Sequence, residues 1–417
     1  VESARLAIDG GDPVRTRPWP TSDKGDVLVD EQDERAALRA VRSGLLHRYD
    51  YRDIHETEVG RFEAKLRERF GVDHALAVSG GTAALTVALL AVGVEQGDEV
   101  ACPAFTFAAT PSAIVLAGAR PVVIDIDENL NMDPADLARK AGPAMKAVIG
   151  VHMRGLACDI RALGAVAGDH GMRVVEDNAA ACGVTLGGRP LGTFGDAGAF
   201  SMQSDKTLNT GEGGFLLFSD EETYARALVL SGAYKKCLAK HYPDDPPPVS
   251  AFDLPLLGLR LDEIRGAIAS SQLDKLDDRL RDQRAVYDAV IARLRDIDEI
   301  AIRTPVEPDA VLGEALVFRL PGVSEEYASW FARAVSAEGV DARAFGSRGD
   351  TNHRSWRNWR FIHGDEDEET VTAMAPNADR YLAEAIDIPL VATLTEADCD
   401  DLAAAVRKVI AARPPAA

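Results

Sequence analysis

Three short stretches combine residue types that do chemistry only when a fold brings them together. In Ser79-Gly80-Gly81-Thr82-Ala83 an apolar run hands over to a helical pattern. Backbone amides at such a helix start, unobstructed at the glycines, suit a phosphate. The stretch is neither G-x-G-x-x-G nor a Walker pattern, so by itself it fits equally a turn that needs a glycine. In Val174-Val175-Glu176-Asp177 two acids stand at the exit of an apolar run. Open α/β sheets gather ligands at the carboxyl ends of their strands, although Asp177 also reads as a helix N-cap. The third stretch is Phe200-Ser201-Met202-Gln203-Ser204-Asp205-Lys206-Thr207-Leu208-Asn209-Thr210-Gly211-Glu212-Gly213-Gly214. A strand delivers Ser201, a turn carries Lys206 and a glycine-rich return leads into the next strand. A lysine just off a buried strand is poorly solvated, which favours its neutral, nucleophilic amine; most lysines are simply surface residues.

These residues need a frame. Apolar runs at His74–Val78, Val100–Cys102, Pro121–Ile126, Ala147–Val151, Arg173–Val175, Ala197–Met202 and Phe215–Phe218 alternate with helical patterns such as Ala83–Val92, Pro111–Ala117 and Ile160–Ala167. Such alternation predicts an α/β fold, a mostly parallel buried sheet between helices. Val59, Phe62, Leu66 and Phe70 fall at helical spacing and predict an amphipathic helix over Glu56–Phe70. Tyr234–Leu257, with Pro243, Pro246, Pro247 and Pro248, reads as a long irregular excursion. Asp262–Leu294 then reads as one long helix. Beyond it, strands at Ala315–Leu320 and Ile386–Leu390 and helices at Glu325–Ala337 and Glu396–Ile410 predict a smaller α+β domain. We place the division at 1–265 and 266–417, with the N-terminal segment free to pack on the second part. The tail Arg413–Ala417 is expected to fray, and the acidic run Asp365–Glu369 reads as a solvated loop.

Composition excludes several function classes. The 417 residues carry 46 Lys+Arg against 67 Asp+Glu, a formal net charge of −21, which argues against nucleic-acid partners. The apolar stretch Ala75–Val94 is long enough to span a bilayer, but Ser79-Gly80-Gly81-Thr82 interrupts it, so no membrane span is expected. Five cysteines, Cys102, Cys158, Cys182, Cys237 and Cys399, are scattered without C-x-x-C spacing. They fit reduced thiols in the cytoplasm better than disulfides or a metal site. The N-terminal residues show no secretory pattern.

Together the three stretches meet the needs of pyridoxal 5'-phosphate: a phosphate nest, a carboxylate to keep the pyridine nitrogen protonated, and a lysine for the aldehyde. The chain resembles the DegT/StrS-type aminotransferases. The resemblance is carried by L-A-I-D-G-G-D-P-V-R-T, S-G-G-T-A-A-L, P-A-F-T-F-A-A-T, V-H-M-R-G, V-V-E-D and F-S-M-Q-S-D-K-T-L-N-T-G-E-G-G. It implies a fold-type-I pyridoxal phosphate enzyme that moves an amino group from an amino acid, L-glutamate or L-glutamine, to a keto-sugar, keto-cyclitol or related ketone. Further details, V-H-M-R-G-L-A-C-D-I among them, are similar to the 3-amino-5-hydroxybenzoate synthase and aminocyclitol branch. By position, the resemblance makes Lys206 the Schiff-base lysine and general base, and Asp177 the partner of the pyridine nitrogen. Gly81 and Thr82 become the phosphate turn, Ser201 a further phosphate ligand and Phe107 the stacking aromatic. For Phe107 the bland alternative is a core phenylalanine.

The resemblance also implies a homodimer with shared active sites, into which Tyr234–Leu257 is a candidate to reach. Three departures stand out. Ala180 replaces a glutamine near the cofactor phenolate, Gly258 an asparagine that reaches the phosphate across the dimer, and Val391 a late histidine. They leave two rival readings: a dehydratase or deoxygenase using the same cofactor, and a non-catalytic structural or regulatory subunit. Relatives of the dehydratase type carry histidine in place of the lysine. Arg154, Tyr234, Lys235, His241 and Tyr242 are polar candidates for the substrate pocket. Trp356, Arg357, Trp359 and Arg360 read either as a substrate-contacting cluster or as a packed aromatic surface with snorkelling arginines.

Overall fold

The apolar runs pair into a seven-stranded sheet. Its strands are β1 (His74–Val78), β2 (Glu99–Pro103), β3 (Arg120–Ile124), β4 (Met145–Val151), β5 (Arg173–Asp177), β8 (Ala197–Ser201) and β9 (Gly214–Phe218). A two-stranded ribbon, β6 (Thr185–Leu186) and β7 (Arg189–Pro190), stands apart from it. This computed structural model describes residues 5–20, 25–51, 53–346 and 353–412, so the tail from Arg413 and its expected fraying lie outside the described residues. The sheet order is β1-β9-β8-β5-β4-β2-β3. Only β9 runs against its neighbours, pairing antiparallel with β1 and β8, whereas β8, β5, β4, β2 and β3 pair in parallel. Six strands of this sheet, β1 among them, thus deliver their carboxyl ends to one edge, where loop residues can converge on a ligand.

The apolar stretch that imitates a membrane span becomes β1, a turn and the helix Gly81–Ala91, whose residues from Ala84 to Leu89 are all buried. Among the described residues no helix is long and apolar enough to cross a membrane. The predicted amphipathic helix forms over Glu58–Phe70, capped by the Thr57 hydroxyl and closed by Gly71 at φ 64°. Val59, Phe62, Leu66 and Phe70 are each at most 4% exposed. At roughly 1.5–3 kcal/mol for each such side chain, this stripe is what holds the helix to the sheet. It packs in one core with Phe200 and Phe215, which themselves stack with centroids 4.3 Å apart.

Three expectations change. Asp262–Leu294 is two helices, Glu263–Asp274 and Leu276–Leu294, broken at Lys275. Lys275 Nζ pairs with Asp30 and Asp33 at 2.9 and 2.8 Å, so ion pairs distant in sequence fix the break. The excursion after Tyr234 begins with a helix, Lys235–His241, because Cys237 and Leu238 bury one side of it; the proline-rich remainder is irregular. Trp356 and Trp359 are each 1% exposed, so they form neither a surface nor a substrate contact. Their indole N–H groups donate to the carbonyls of Val371 and His353.

A second sheet, β10 (Ala301–Ile302), β11 (Ala315–Arg319), β12 (Arg343–Ala344) and β13 (Ala385–Pro389), is antiparallel throughout in the order β10-β11-β13-β12. The helices Leu276–Leu294, Glu325–Ala337 and Glu396–Ala411 bury their apolar faces in the core of this sheet. N-terminal residues are clasped here as well. Glu338 accepts from the amides of Ala7 and Val14, and Arg15 Nη1 lies 2.6 Å from Asp398 Oδ1.

Candidate active site

Because β9 lies between β1 and β8, its first residue decides how closely the ends of those strands approach. Gly214 pairs with Val78 on one side and Ser201 on the other. A Cβ there would stand 2.6 Å from the Gly80 oxygen and 2.7 Å from the Phe200 oxygen. The glycine-rich return therefore has a steric reason: a side chain would push the two strand ends apart. Their approach brings the turn after β1 against Ser201. A Cβ on Gly81 would lie 2.8 Å from Ser201 Cβ and 3.1 Å from Oγ. The helix begins at Gly81 with no side chain capping it, so its first amides remain available to an anion.

The two acids of β5 point to different tasks. Glu176 is fully buried; its oxygens accept the amides of Gly192, Phe194 and Gly195 at 2.8, 2.6 and 2.8 Å. Its Oε2 also faces His152 Nε2 at 3.3 Å. His152 Nδ1 lies 3.2 Å from the Cys158 amide nitrogen, so the ring is held between that segment and Glu176. Glu176 thus anchors the loop between β5 and β8. Asp177 takes fewer bonds: Oδ1 accepts the Ala179 amide at 3.1 Å and Oδ2 the Thr110 hydroxyl at 2.9 Å. No helix follows it, only turns, so the N-cap reading is corrected. Burial pushes its carboxyl up from the ordinary value, against the Ala179 and Thr110 hydrogen bonds and the charges of Lys206 and His152.

One cavity of about 610 Å³ brings the turn after β1, Ser201, His152 and Asp177 together. Gly81, Thr82, Phe107, Asp177, Ser201 and Lys206, the six positions singled out in the sequence, all line it. Phe107 is 54% exposed on the surface of this chain, which removes the core alternative for it. Lys206 is half-buried, its amide donating to the Gln203 oxygen at 2.8 Å. Ala180 also faces the cavity. Gly258 has φ +68°, a conformation that asparagine also adopts. Val391 belongs to the core of the second sheet.

Of the polar substrate candidates, the cavity includes only Arg154. Its backbone sits at φ 56°, a strained conformation for a residue with a side chain. Its guanidinium grips Asp387 of β13, with Nη2 2.7 and 2.9 Å from the two carboxylate oxygens. Glu314 lies 3.9 Å away. Arg154 thus ties the end of β4 to the second sheet. Tyr234 is exposed, and His241 stands between the hydroxyls of Tyr49 and Tyr224 at 3.1 and 3.3 Å. Lys235 and Tyr242 are not among the cavity-lining residues. Sequence reasoning missed Thr106, His152, Glu314 and Arg354 in the lining, and Thr110 behind it. The spacing T-F-A-A-T was the available signal for the two threonines, since it brackets Phe107.

The DegT/DnrJ/EryC1/StrS aminotransferase family matches residues 30–407. The chain belongs to this family. Among curated relatives, it is 39% identical over 286 residues to an L-glutamine:2-deoxy-scyllo-inosose aminotransferase of Streptoalloteichus tenebrarius, and 36% identical over 286 residues to one of Streptomyces kanamyceticus. Each match takes in 66% of this chain and 64% of the relative, so the chain spans a little under two thirds of their length. Among solved structures, 3-amino-5-hydroxybenzoic acid synthase superposes with a TM-score of 0.79 at 26% identity, covering 96% of this chain and all of that one. The family member's fold is therefore that of a fold-type-I pyridoxal phosphate enzyme, as the sequence led us to expect.

Proposed function

We propose that this family member is a pyridoxal phosphate-dependent aminotransferase that moves the amino group of L-glutamine or L-glutamate to a keto-cyclitol, keto-sugar or related ketone in secondary-metabolite biosynthesis. The observation that carries the reading is the meeting of Gly81, Ser201, Asp177 and Lys206 on one cavity. These residues fit the cofactor. The Gly81 turn leaves room that a Cβ would fill, and the helix amides with Ser201 Oγ supply donors for a phosphate. Asp177 is a buried acceptor for a pyridinium N–H, and Phe107 presents an exposed ring for stacking. When bound, the group supplies an aldehyde for Lys206 and an electron sink for the carbanion left by proton removal. Lys206 Nζ takes the proton from the donor α-carbon and, in the second half, delivers one to the acceptor's former carbonyl carbon. Asp177 holds the proton at the ring nitrogen, while Leu85, Phe107, Val151 and Met153 make the apolar part of the wall. The L-glutamine donor and cyclitol acceptor in the relatives' names support the substrate class.

Lys206, in place of histidine, weighs against the dehydratase reading. The complete constellation weighs against a non-catalytic subunit. A homodimer belongs to the same proposal. Phe252 is 81% exposed and Leu256 49%, both in the excursion that would meet a partner. The division at 1–265 and 266–417 also remains part of it, supported by the core that the second sheet forms with its own helices, although Ala315, Val317 and Ala385 pack into the core of the first sheet. The test is turnover of L-glutamine with a panel of keto-cyclitols and keto-sugars. Stoichiometric amination of one of them is expected; cofactor-dependent loss of water from the ketone, without amine transfer, would contradict the reading.

A further inference from the structure

Behind Asp177 lies a chain of two buried hydroxyls that the reaction as described does not use. Thr110 Oγ1 is 2.9 Å from Asp177 Oδ2, and Thr106 Oγ1 is 2.7 Å from Thr110 Oγ1. Both threonines are at most 1% exposed. A hydroxyl has one proton to donate. If Asp177 is ionised it only accepts, so Thr110 must spend its proton there, and Thr106 must then donate to Thr110. The chain is polarised from Thr106 through Thr110 to Asp177. A protonated Asp177 Oδ2 would reverse both bonds. The pair also has a mechanical side. Thr106 and Thr110 bracket Phe107, the Thr110 amide donates to the Phe107 oxygen, and the Thr106 amide donates to the Arg354 oxygen. One loop therefore carries the exposed ring and grips the acid.

We propose that Thr110, polarised by Thr106, is a positioning residue that keeps Asp177 ionised and aimed, and so decides whether a proton rests on the ring nitrogen of bound pyridoxal phosphate. This rests on the functional reading above. The charged groups facing Asp177 are Lys206, on the turn after β8, and His152, at the end of β4; both favour its anion, as does Thr110. Without the Thr110 hydroxyl, the buried carboxylate is the more basic partner and takes the shared proton for itself. The ring nitrogen then loses its positive charge, and the group formed with Lys206 holds its own proton more tightly.

The experiment compares wild type, Thr110→Val, Thr110→Ser and Thr106→Val, each loaded with pyridoxal phosphate. Two readouts are followed: the pH midpoint of the visible band, and the nitrogen-15 shift of ring-labelled cofactor. Thr110→Val is expected to raise the midpoint by about one unit, the scale of one hydrogen bond to a charged group. The nitrogen-15 shift should move to that of an unprotonated ring. Turnover should fall about tenfold through kcat, with little change in KM. Thr110→Ser should restore both spectroscopic values, and Thr106→Val should shift them the same way by less. A folded Thr110→Val protein with wild-type midpoint and nitrogen shift would overturn this inference alone. A wild-type protein that forms no visible band would overturn it together with the functional reading beneath it.

Discussion

Two regions of the molecule bury carboxylates beside cations, and they use them in opposite ways. In the clasp on the second sheet, Asp398 is enclosed by Arg15, Arg17 and Thr395. It accepts from the Thr395 amide and hydroxyl at 2.8 and 2.6 Å and pairs with Arg15 at 2.6 Å. Burial pushes its carboxyl up, but these partners outweigh burial and hold it down at about 2. In the cavity, Asp177 has two donors and stays above its ordinary value because burial wins. The clasp is a closed set of bonds, whereas the cavity is an open one, and open acceptor capacity on a buried acid is what a ligand with an N–H can use. Glu176, next to Asp177 in sequence, belongs with the clasp: three amides and His152 enclose its oxygens.

The comparison can be broken at several points. Lys206→Ala should have the largest effect, lowering turnover by more than about 10⁴-fold, since it removes base and covalent anchor together; single-turnover kinetics would show it. Asp177→Ala should lower turnover about 10³-fold while costing less stability than Glu176→Ala, because it leaves only the Ala179 amide and the Thr110 hydroxyl without an acceptor but removes the partner of the ring nitrogen. A melting curve collapsed by that change would put Asp177 with the clasp instead. Glu176→Ala should do the reverse, costing about 3 kcal/mol of stability by orphaning buried amides, as read from denaturant unfolding of the unliganded protein. Asp398→Asn should cost about 2 kcal/mol at neutral pH. The sign follows from its depressed folded value. The stabilisation is complete above the unfolded carboxyl range near 4 and fades as pH falls through about 2. Wild type and variant should therefore converge in acid; a constant gap would show that the charge of Asp398 is not what stabilises the clasp.

Legibility in the sequence followed the same division between local and distant partners. The strands β1 to β5 and the helix Glu58–Phe70 were readable because their apolar spacing is local, and each buries the face that spacing defines. Lys206, Asp177, Ser201, Gly81, Thr82 and Phe107 were readable as a set because residue type and motif mark them, and the cavity brings them together. The helix break at Lys275 was not, since its cause is pairing with Asp30 and Asp33. Thr110 was not either: its partner lies 67 residues away. Arg154 was readable as a site residue but not as an ion pair, because Asp387 lies 233 residues further on. The two tryptophans were misjudged because exposure in that segment depends on packing far from the local sequence.

The most direct test of the central claim is the visible spectrum of the protein loaded with pyridoxal phosphate, before and after addition of L-glutamine or L-glutamate. A band that appears on loading, is absent in Lys206→Ala and bleaches on adding the amino acid, with pyridoxamine phosphate recovered, is the predicted result. A wild-type protein that develops no band, or one whose band ignores both donors, would contradict the assignment of this cavity to amino transfer from them.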